Sequence, residues 1–327
     1  MGNTSQHKSQ IHGIPPRAVK ISVCIPTYNH AHFLVDAVES VRAQTVKEFE
    51  LVIVDNCSTD NTKEVVEKMM AGDNRITYVC NETNVGPVGN LNRCILHAQG
   101  EYLTILCADD VLAPTFLEKM SAALDDDPVV KLVACARIVV NENLKPKFRS
   151  GFSARKKHVS GHEAINKCLF NGNLIGEPSA VMFRRNAARR GFNMDFSQVV
   201  DLEMWFHILE QGDFVFLPEG LCLFRHYDTQ GTKTNLKSFK FLADDERLFQ
   251  SFITKPYIDA TPFNIFNWKF RMAWNIWSHR RYIDDPAKVR DNISRFINRP
   301  LFYLLMLPAM GTKKIIKILD RMLAVLS

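Results

Sequence analysis

Within residues 21–60 two short apolar runs rich in Val and Ile, ISVCI and FELVIV, each stop at a polar cluster: Pro26-Thr27-Tyr28-Asn29 and Asp55-Asn56-Cys57-Ser58-Thr59-Asp60. Runs this short and β-branched read as buried strands, while Phe33, Leu34, Ala37, Val38 and Val41 between them recur at helical spacing. The spacing predicts a β-α-β unit with its helix over 33–44. In such a unit the polar residues just past the strand ends line the crevice where open parallel sheets bind ligands, nucleotides most often.

The pattern continues downstream with a strand at Ile76–Cys80, a helix over Val88–Ala98 and a strand at Tyr102–Cys107 that stops at Ala108-Asp109-Asp110. Adjacent carboxylates at the end of a buried strand repel each other unless a cation compensates them. Mg²⁺ and Mn²⁺ take one or two carboxylates together with phosphate oxygens, so the pair beside a nucleotide crevice points to a metal-bridged diphosphate. Either aspartate can be the ligand, the other reaching ribose or a metal-bound water. Tyr28 is a stacking plate for a base, with Pro26 and Thr27 shaping the turn, and Asp55 can accept a hydrogen bond from base or ribose. Asn84, Gly86 and Asn92 either approach the base and ribose, Gly86 letting the backbone come close, or form a turn and a surface helix.

Farther along, Leu202, Trp205, Phe206 and Leu209 fall at helical spacing, which puts Asp201 in a first turn where the helix dipole favours its ionised form. Taken in order with Asn84-Val85-Gly86, Asn92, Gly100-Glu101-Tyr102, Gly176-Glu177-Pro178, Asp201-Leu202-Glu203-Met204-Trp205 and Arg225-His226, the motifs above make the chain resemble inverting family 2 glycosyltransferases over about residues 19–232. No single motif decides this; the ordered set is specific. The resemblance implies an α/β fold of the GT-A type, a mostly parallel central sheet flanked by helices that binds a nucleotide-sugar. It also implies metal-dependent transfer, with Mn²⁺ or Mg²⁺, from a nucleotide-diphosphate sugar to a saccharide or lipid-linked saccharide in cell-surface polysaccharide biosynthesis. By the same resemblance Asp201 is the general base and Pro26, Thr27, Tyr28, Asn29, Asp55, Asn84, Gly86, Asn92 and Asp109 hold the donor. The metal would sit at Asp109 and Asp110. Arg225 would neutralise the leaving diphosphate and His226 would add a metal ligand. Val200 stands where the family usually has Glu, and Cys107 where it often has Asp.

The remainder is less regular. Residues 141–158 read as a long polar loop, Ser160-Gly161-His162-Glu163 as a capping box opening a helix to Leu169, and 172–183 as a turn followed by a strand. From 233 to 327 the chain reads as a helical extension, in which Ile265 to Trp277 is apolar nearly all round and so predicted to be buried on most sides. Residues 1–18 read as a disordered leader without the apolar core of a signal peptide. Eight cysteines, none in a C-x-x-C pair, fit reduced thiols in a cytoplasmic protein.

The net charge of +6 at pH 7 leans towards the C-terminal part and lacks the basic-aromatic face of a nucleic-acid binder. From Lys313 to Ser327 the pattern suits a helix lying on the cytoplasmic face of a membrane, as a peripheral contact, or one packed on the protein's own core. Two other classes compete. A catalytically inactive nucleotide-sugar-binding protein is disfavoured because Asp110 and Asp201 are both present. A dinucleotide-dependent oxidoreductase is disfavoured because Pro26-Thr27-Tyr28-Asn29 contains no glycine.

Overall fold

The computed structural model describes residues 10–12, 19–227, 240–280, 283 and 285–306. The chain divides into two compact units, residues 1–168 with 173–230, and residues 169–172 with 231–327. The interfacial helix expected at 313–327 lies outside the described residues, as does the leader except for 10–12.

The first unit is built on strands β1 (Gln10–His12), β2 (Ile21–Thr27), β3 (Glu50–Asp55), β4 (Ile76–Cys80) and β5 (Tyr102–Ile105), interleaved with helices α1 (Ala31–Arg42), α2 (Thr62–Met70) and α3 (Gly86–His97). There follow β6 (Val111–Leu112), α4 (Phe116–Asp125), β7 (Val130–Val140), β8 (Pro146–Ser150), β9 (Lys157–Val159) and α5 (Gly161–Asn171). The last elements are β10 (Val181–Arg184), α6 (Val200–Leu209) and β11 (Asp213–Arg225). One sheet runs β1-β4-β3-β2-β5-β10-β7-β11-β6, with β8 on β7 and β9 on β11. Its stretch β4-β3-β2-β5 is parallel, β7 and β11 are parallel, and the remaining pairs are antiparallel.

The parallel strands read as continuous apolar runs because both their faces are covered. Val23, Ile25, Leu51 and Ile53 are buried with Leu34, Val38 and Val41 of α1, each such side chain contributing about 1.5–3 kcal/mol. Chain order steps from β2 to β3 to β4 and then returns to β5 on the other side of β2. That reversal is where an open sheet leaves a crevice, at the carboxyl ends of β2, β3 and β5.

Element bounds shift where distant groups set them. Helix α1 starts at Ala31, ahead of the predicted 33, because the Ala31 N–H donates to Asp60 Oδ2 at 3.2 Å. Strand β5 stops at Ile105, short of Cys107, whose N–H turns to Ser179 Oγ at 3.0 Å. The Ser160 half of the capping box is present, the Glu163 N–H donating to Ser160 Oγ at 3.2 Å. Residues 141–158 are not the expected loop: they carry β8 and β9, both solvent-facing. Exposed strands paired with β7 and β11 need no apolar alternation, so no pattern announces them. Likewise Gln10–His12 pairs antiparallel with the edge strand β4, so the leader is not wholly unstructured.

The second unit contains α7 (Lys240–Phe252), α8 (Pro262–Ser278), α9 (Pro286–Phe296) and α10 (Arg299–Met306). Thr261 and Asp285 cap α8 and α9 by accepting first-turn N–H groups, each followed by Pro at the first helical position. Trp268 stacks on Phe249 at 3.9 Å and meets the edge of Phe296 at 5.6 Å, while Phe302 packs on Phe270 at 5.8 Å. Only Trp268, Met272, Ala273 and Ile276 of α8 are buried, so the prediction of burial on most sides is corrected: the neighbouring helices cover one face. Among the described residues no helix is long and apolar enough to cross a membrane. All eight cysteines are free.

Candidate active site

At the crevice the ends of β2 and β3 are tied together by their own loops. Pro26 and Thr27 close β2, and Tyr28 stands 43% exposed at the mouth. Asn29 takes a left-handed φ of 54°, its N–H donating to Ser58 Oγ at 2.9 Å and its Oδ1 accepting from the Thr59 N–H at 2.8 Å. Cys57 is also left-handed, with φ 66°, a conformation costing a non-glycine residue about 1–3 kcal/mol and found mainly at ligand sites.

Asp55 is buried and already engaged. Its Oδ1 accepts the Ser58 N–H at 2.9 Å and hydroxyl at 2.6 Å, and its Oδ2 accepts the Tyr78 hydroxyl at 2.6 Å. A carboxylate has about four acceptor positions, so little capacity is left for a base or ribose. Burial, then Asp55, push the Tyr78 phenol up and keep it a donor.

Beside it runs a chain of four asparagines. Asn56 Nδ2 donates to Asn84 Oδ1 at 2.8 Å, and Asn56 Oδ1 accepts from the Val85 N–H at 2.9 Å and Asn81 Nδ2 at 3.1 Å. Asn81 Nδ2 also donates to Asn90 Oδ1 at 3.0 Å, and Asn90 Nδ2 to the Val54 carbonyl at 3.0 Å. This chain shapes the loop carrying Asn84 and Gly86, whose φ of 77° needs no side chain. Asn92 belongs elsewhere, and its assignment to the donor is corrected. Both ends of its amide bond the Phe192 main chain, at 3.0 and 2.6 Å, as a strand partner would.

Past β5, side-chain ligand atoms of Cys107, Asp109 and Asp110 lie within 4.8 Å of one another. Asp110 is 1% exposed, accepting from Ser179 Oγ at 2.5 Å and the Arg225 N–H at 2.9 Å. Burial, then the neighbouring charge of Asp109, push its carboxyl well above the usual range. Asp109 is half-buried, its Oδ2 accepting the Tyr227 hydroxyl at 3.1 Å and its carbonyl the Arg225 Nε at 2.7 Å. Crowded negative charge is what a divalent ion relieves, and the oxygen donors suit a hard one. Cys107 is pushed up by burial and stays a thiol, a poor ligand for such an ion. Asp109, the less buried acid, is the better placed of the two.

Arg225 is not aimed at the crevice as expected. It is 3% exposed, lies over the Phe33 ring at 4.5 Å, donates Nη2 to Asp36 at 2.9 Å and Nη1 to the Glu142 carbonyl, and so braces the acidic loop. His226 is not in the acidic cluster either. Arg225 and Tyr227 both turn towards Asp109. His226 is exposed, its N–H bonded to the Val140 carbonyl at 2.9 Å.

The second acidic group surrounds Asp201, in the first turn of α6 as predicted. Its Oδ1 accepts the Leu202 N–H at 2.8 Å and its Oδ2 the Asn173 side-chain amide at 2.8 Å. It is not held ionised by the dipole as expected. Burial, then the charge of Glu177, outweigh the Leu202 hydrogen bond and Arg137 and push the carboxyl up to about 7. Glu177 Oε2 lies 2.7 Å from Arg137 Nε, and Arg137 is 7% exposed. Gly176, φ 123°, leaves room for that guanidinium, since a Cβ would lie 2.6 Å from Arg137 Nη1. Trp205 Nε1 donates to the Gly176 carbonyl at 2.9 Å. Glu203 is taken by Arg190 through two bonds of 2.7 and 2.6 Å. Tyr78, Asn173, Ser179, Arg137 and Tyr227 escaped the sequence reading; each acts through a partner more than 20 residues away.

Comparison with known proteins gives consistent matches. The family model described as glycosyl transferase family 2 matches residues 22–192. An uncharacterized protein of Mycobacterium tuberculosis is 30% identical over 76% of this chain and 80% of its own length. A Campylobacter jejuni protein named GalNAc(5)-diNAcBac-PP-undecaprenol beta-1,3-glucosyltransferase is 39% identical, over 28% of this chain and 30% of its own. In fold, the chain is similar to a mannosyltransferase of Pyrobaculum calidifontis solved with GDP-Man and Mn²⁺, with TM-score 0.57 and 18% identity over 93% of this chain and 83% of that one.

Proposed function

The chain belongs to glycosyl transferase family 2 and is a glycosyltransferase; from that premise we propose metal-assisted, inverting transfer from a nucleotide-diphosphate sugar to a saccharide or lipid-linked saccharide in cell-surface polysaccharide synthesis. One observation carries the reading: the short segment 173–179 touches both acidic groups, Asn173 bonding Asp201 and Ser179 bonding Asp110. That link supports a base and a diphosphate site on one crevice, as an in-line displacement needs.

Tyr28, Pro26, Thr27 and Asn29 receive the nucleotide at the ends of β2 and β3, with Asn84 and Gly86 on the adjoining loop. Asp55 acts behind them, holding Ser58 and Tyr78. Asp109 would hold Mn²⁺ or Mg²⁺, with Asp110 and Arg225 fixing its loop. Bound there, a divalent cation offsets charge growing on the departing diphosphate. Asp201 takes the proton of the acceptor hydroxyl as its oxygen bonds the anomeric carbon and the sugar–phosphate bond breaks on the opposite side. A base with a pKa of about 7 is matched to that work at neutral pH, and general-base help is worth about 10² to 10⁴ in rate.

The acceptor class draws support from the undecaprenol-linked name of the Campylobacter relative. A thermal-shift screen of nucleotide sugars with and without Mn²⁺ identifies the donor. Proton NMR of the product of that donor then reads the anomeric configuration. Retention of configuration, or donor binding indifferent to Mn²⁺, overturns the proposal.

A further inference from the structure

Among its described residues the second unit exposes a run of large apolar side chains. On α8, Phe263, Phe266 and Trp274 are 70%, 37% and 36% exposed, and Phe270 and Trp277 are half-exposed. Their spacing of three, four, four and three residues puts all five on one stripe, opposite the buried Trp268, Met272 and Ile276. The stripe is about 21 Å long at 1.5 Å per residue. Helix α10, joined to α8 through Phe302 on Phe270, adds Leu301, Leu304 and Leu305, which are 40%, 53% and 41% exposed.

Charge on this part of the chain is one-sided. Residues 231–327 hold 17 Lys and Arg against 8 Asp and Glu, a net of +9, whereas residues 1–230 hold 24 against 27, a net of −3. The basic groups border the stripe: the Arg280 guanidinium sits over the Trp277 ring at 3.8 Å, and Lys269 is exposed between Trp268 and Phe270. Indole and phenyl rings flanked by long cationic side chains are the composition of a surface that rests at the headgroup level of a bilayer, rings in the acyl boundary and cations among phosphates. A second copy of the chain is disfavoured as the occupant, because it would bring another +9 against the first.

We propose that the aromatic stripe of α8, with the exposed leucines of α10, docks the second unit on an anionic lipid surface. The contact is independent of sugar transfer, so its test does not depend on the catalytic reading. The full chain is sedimented with vesicles of phosphatidylcholine alone or with a quarter phosphatidylglycerol, at low and high salt, beside the variant Phe263→Ser/Trp274→Ser/Leu304→Ser. All three side chains are solvent-facing, so the variant should keep its cooperative melt. Wild type should bind the anionic vesicles, more weakly at high salt, and the variant should need at least about tenfold more lipid for half-binding. In wild type, brominated lipids should quench tryptophan emission, a readout that needs no variant.

Equal binding by variant and wild type, or full emission against brominated lipid, overturns the assignment. So does wild type that ignores vesicles and is a dimer that the variant is not.

Discussion

Asn173 donates its side-chain amide to Asp201 Oδ2 at 2.8 Å and accepts the Gly176 N–H through its own Oδ1 at 2.9 Å, so one residue fixes both the acid and the turn carrying Glu177. Asp201 therefore has its orientation already set, and burial, then the charge of Glu177 held against Arg137, raise its proton affinity.

Replacing Asp201 by Asn keeps the shape and removes the proton acceptor. Turnover should fall at least about 10²-fold with donor affinity little changed. Single-turnover kinetics together with donor titration check this; a loss confined to donor affinity would move the base elsewhere.

The pH behaviour follows from the carboxyl being pushed up to about 7. Only the ionised form accepts a proton, so kcat should rise with pH through about 7, and Glu177→Gln, removing the like charge, should move that rise to lower pH. Stability runs the other way. A carboxyl whose folded pKa is raised stabilises the fold fully below its unfolded value, and that contribution is lost as pH climbs through about 7. The melting difference between Asp201→Asn and wild type should thus move in the variant's favour from pH 5 to pH 8; a constant difference would contradict the assignment.

Asp109 and Asp110 should separate by experiment. Chelation should abolish transfer, and Asp109→Asn should weaken donor binding in Mn²⁺ but hardly in EDTA. Asp110→Asn sets amide donors against the Ser179 hydroxyl or the Arg225 N–H, costing about 1–3 kcal/mol, and should lower the melting temperature whether or not metal is present. A melt of Asp110→Asn equal to wild type would make that residue a metal ligand alone.

Two left-handed glycines should respond differently to a methyl group. Gly176→Ala meets Arg137 Nη1 as well as its φ of 123°, and should lose about 1–3 kcal/mol along with much of the turnover. Gly86→Ala has φ 77° and nothing within 4 Å, so it bears the backbone term of about 1–2 kcal/mol alone. Denaturant melts rank the two; a Gly86 variant less stable than the Gly176 variant would reverse this account.

What could be read from sequence was what is encoded locally. Buried parallel strands write themselves as Val and Ile runs, so β2, β3 and β5 and the polar turns after them were legible, as was Asp201 at the start of an amphipathic helix. Strands β8 and β9 carried no apolar period because they bury nothing. Arg225 and His226 were legible as a motif, but the partners of Arg225 were not: its guanidinium reaches Asp36, 189 residues earlier. The proton affinity of Asp201 depends on its burial and then on Glu177, 24 residues earlier, and a helix-dipole argument contains neither.

The brace around the acidic loop also has an order in time. Asp110 is held by the main chain of Arg225, 115 residues later, and Asp109 by the hydroxyl of Tyr227. A ribosome delivers β2, α1 and β3 long before either, but a domain generally folds as a unit. The acidic loop therefore cannot close until the last strand of the unit has left the exit tunnel. Competence to grip a diphosphate is acquired late in synthesis, at residue 227 and not at residue 110, and a chain stalled in between is an unfinished enzyme.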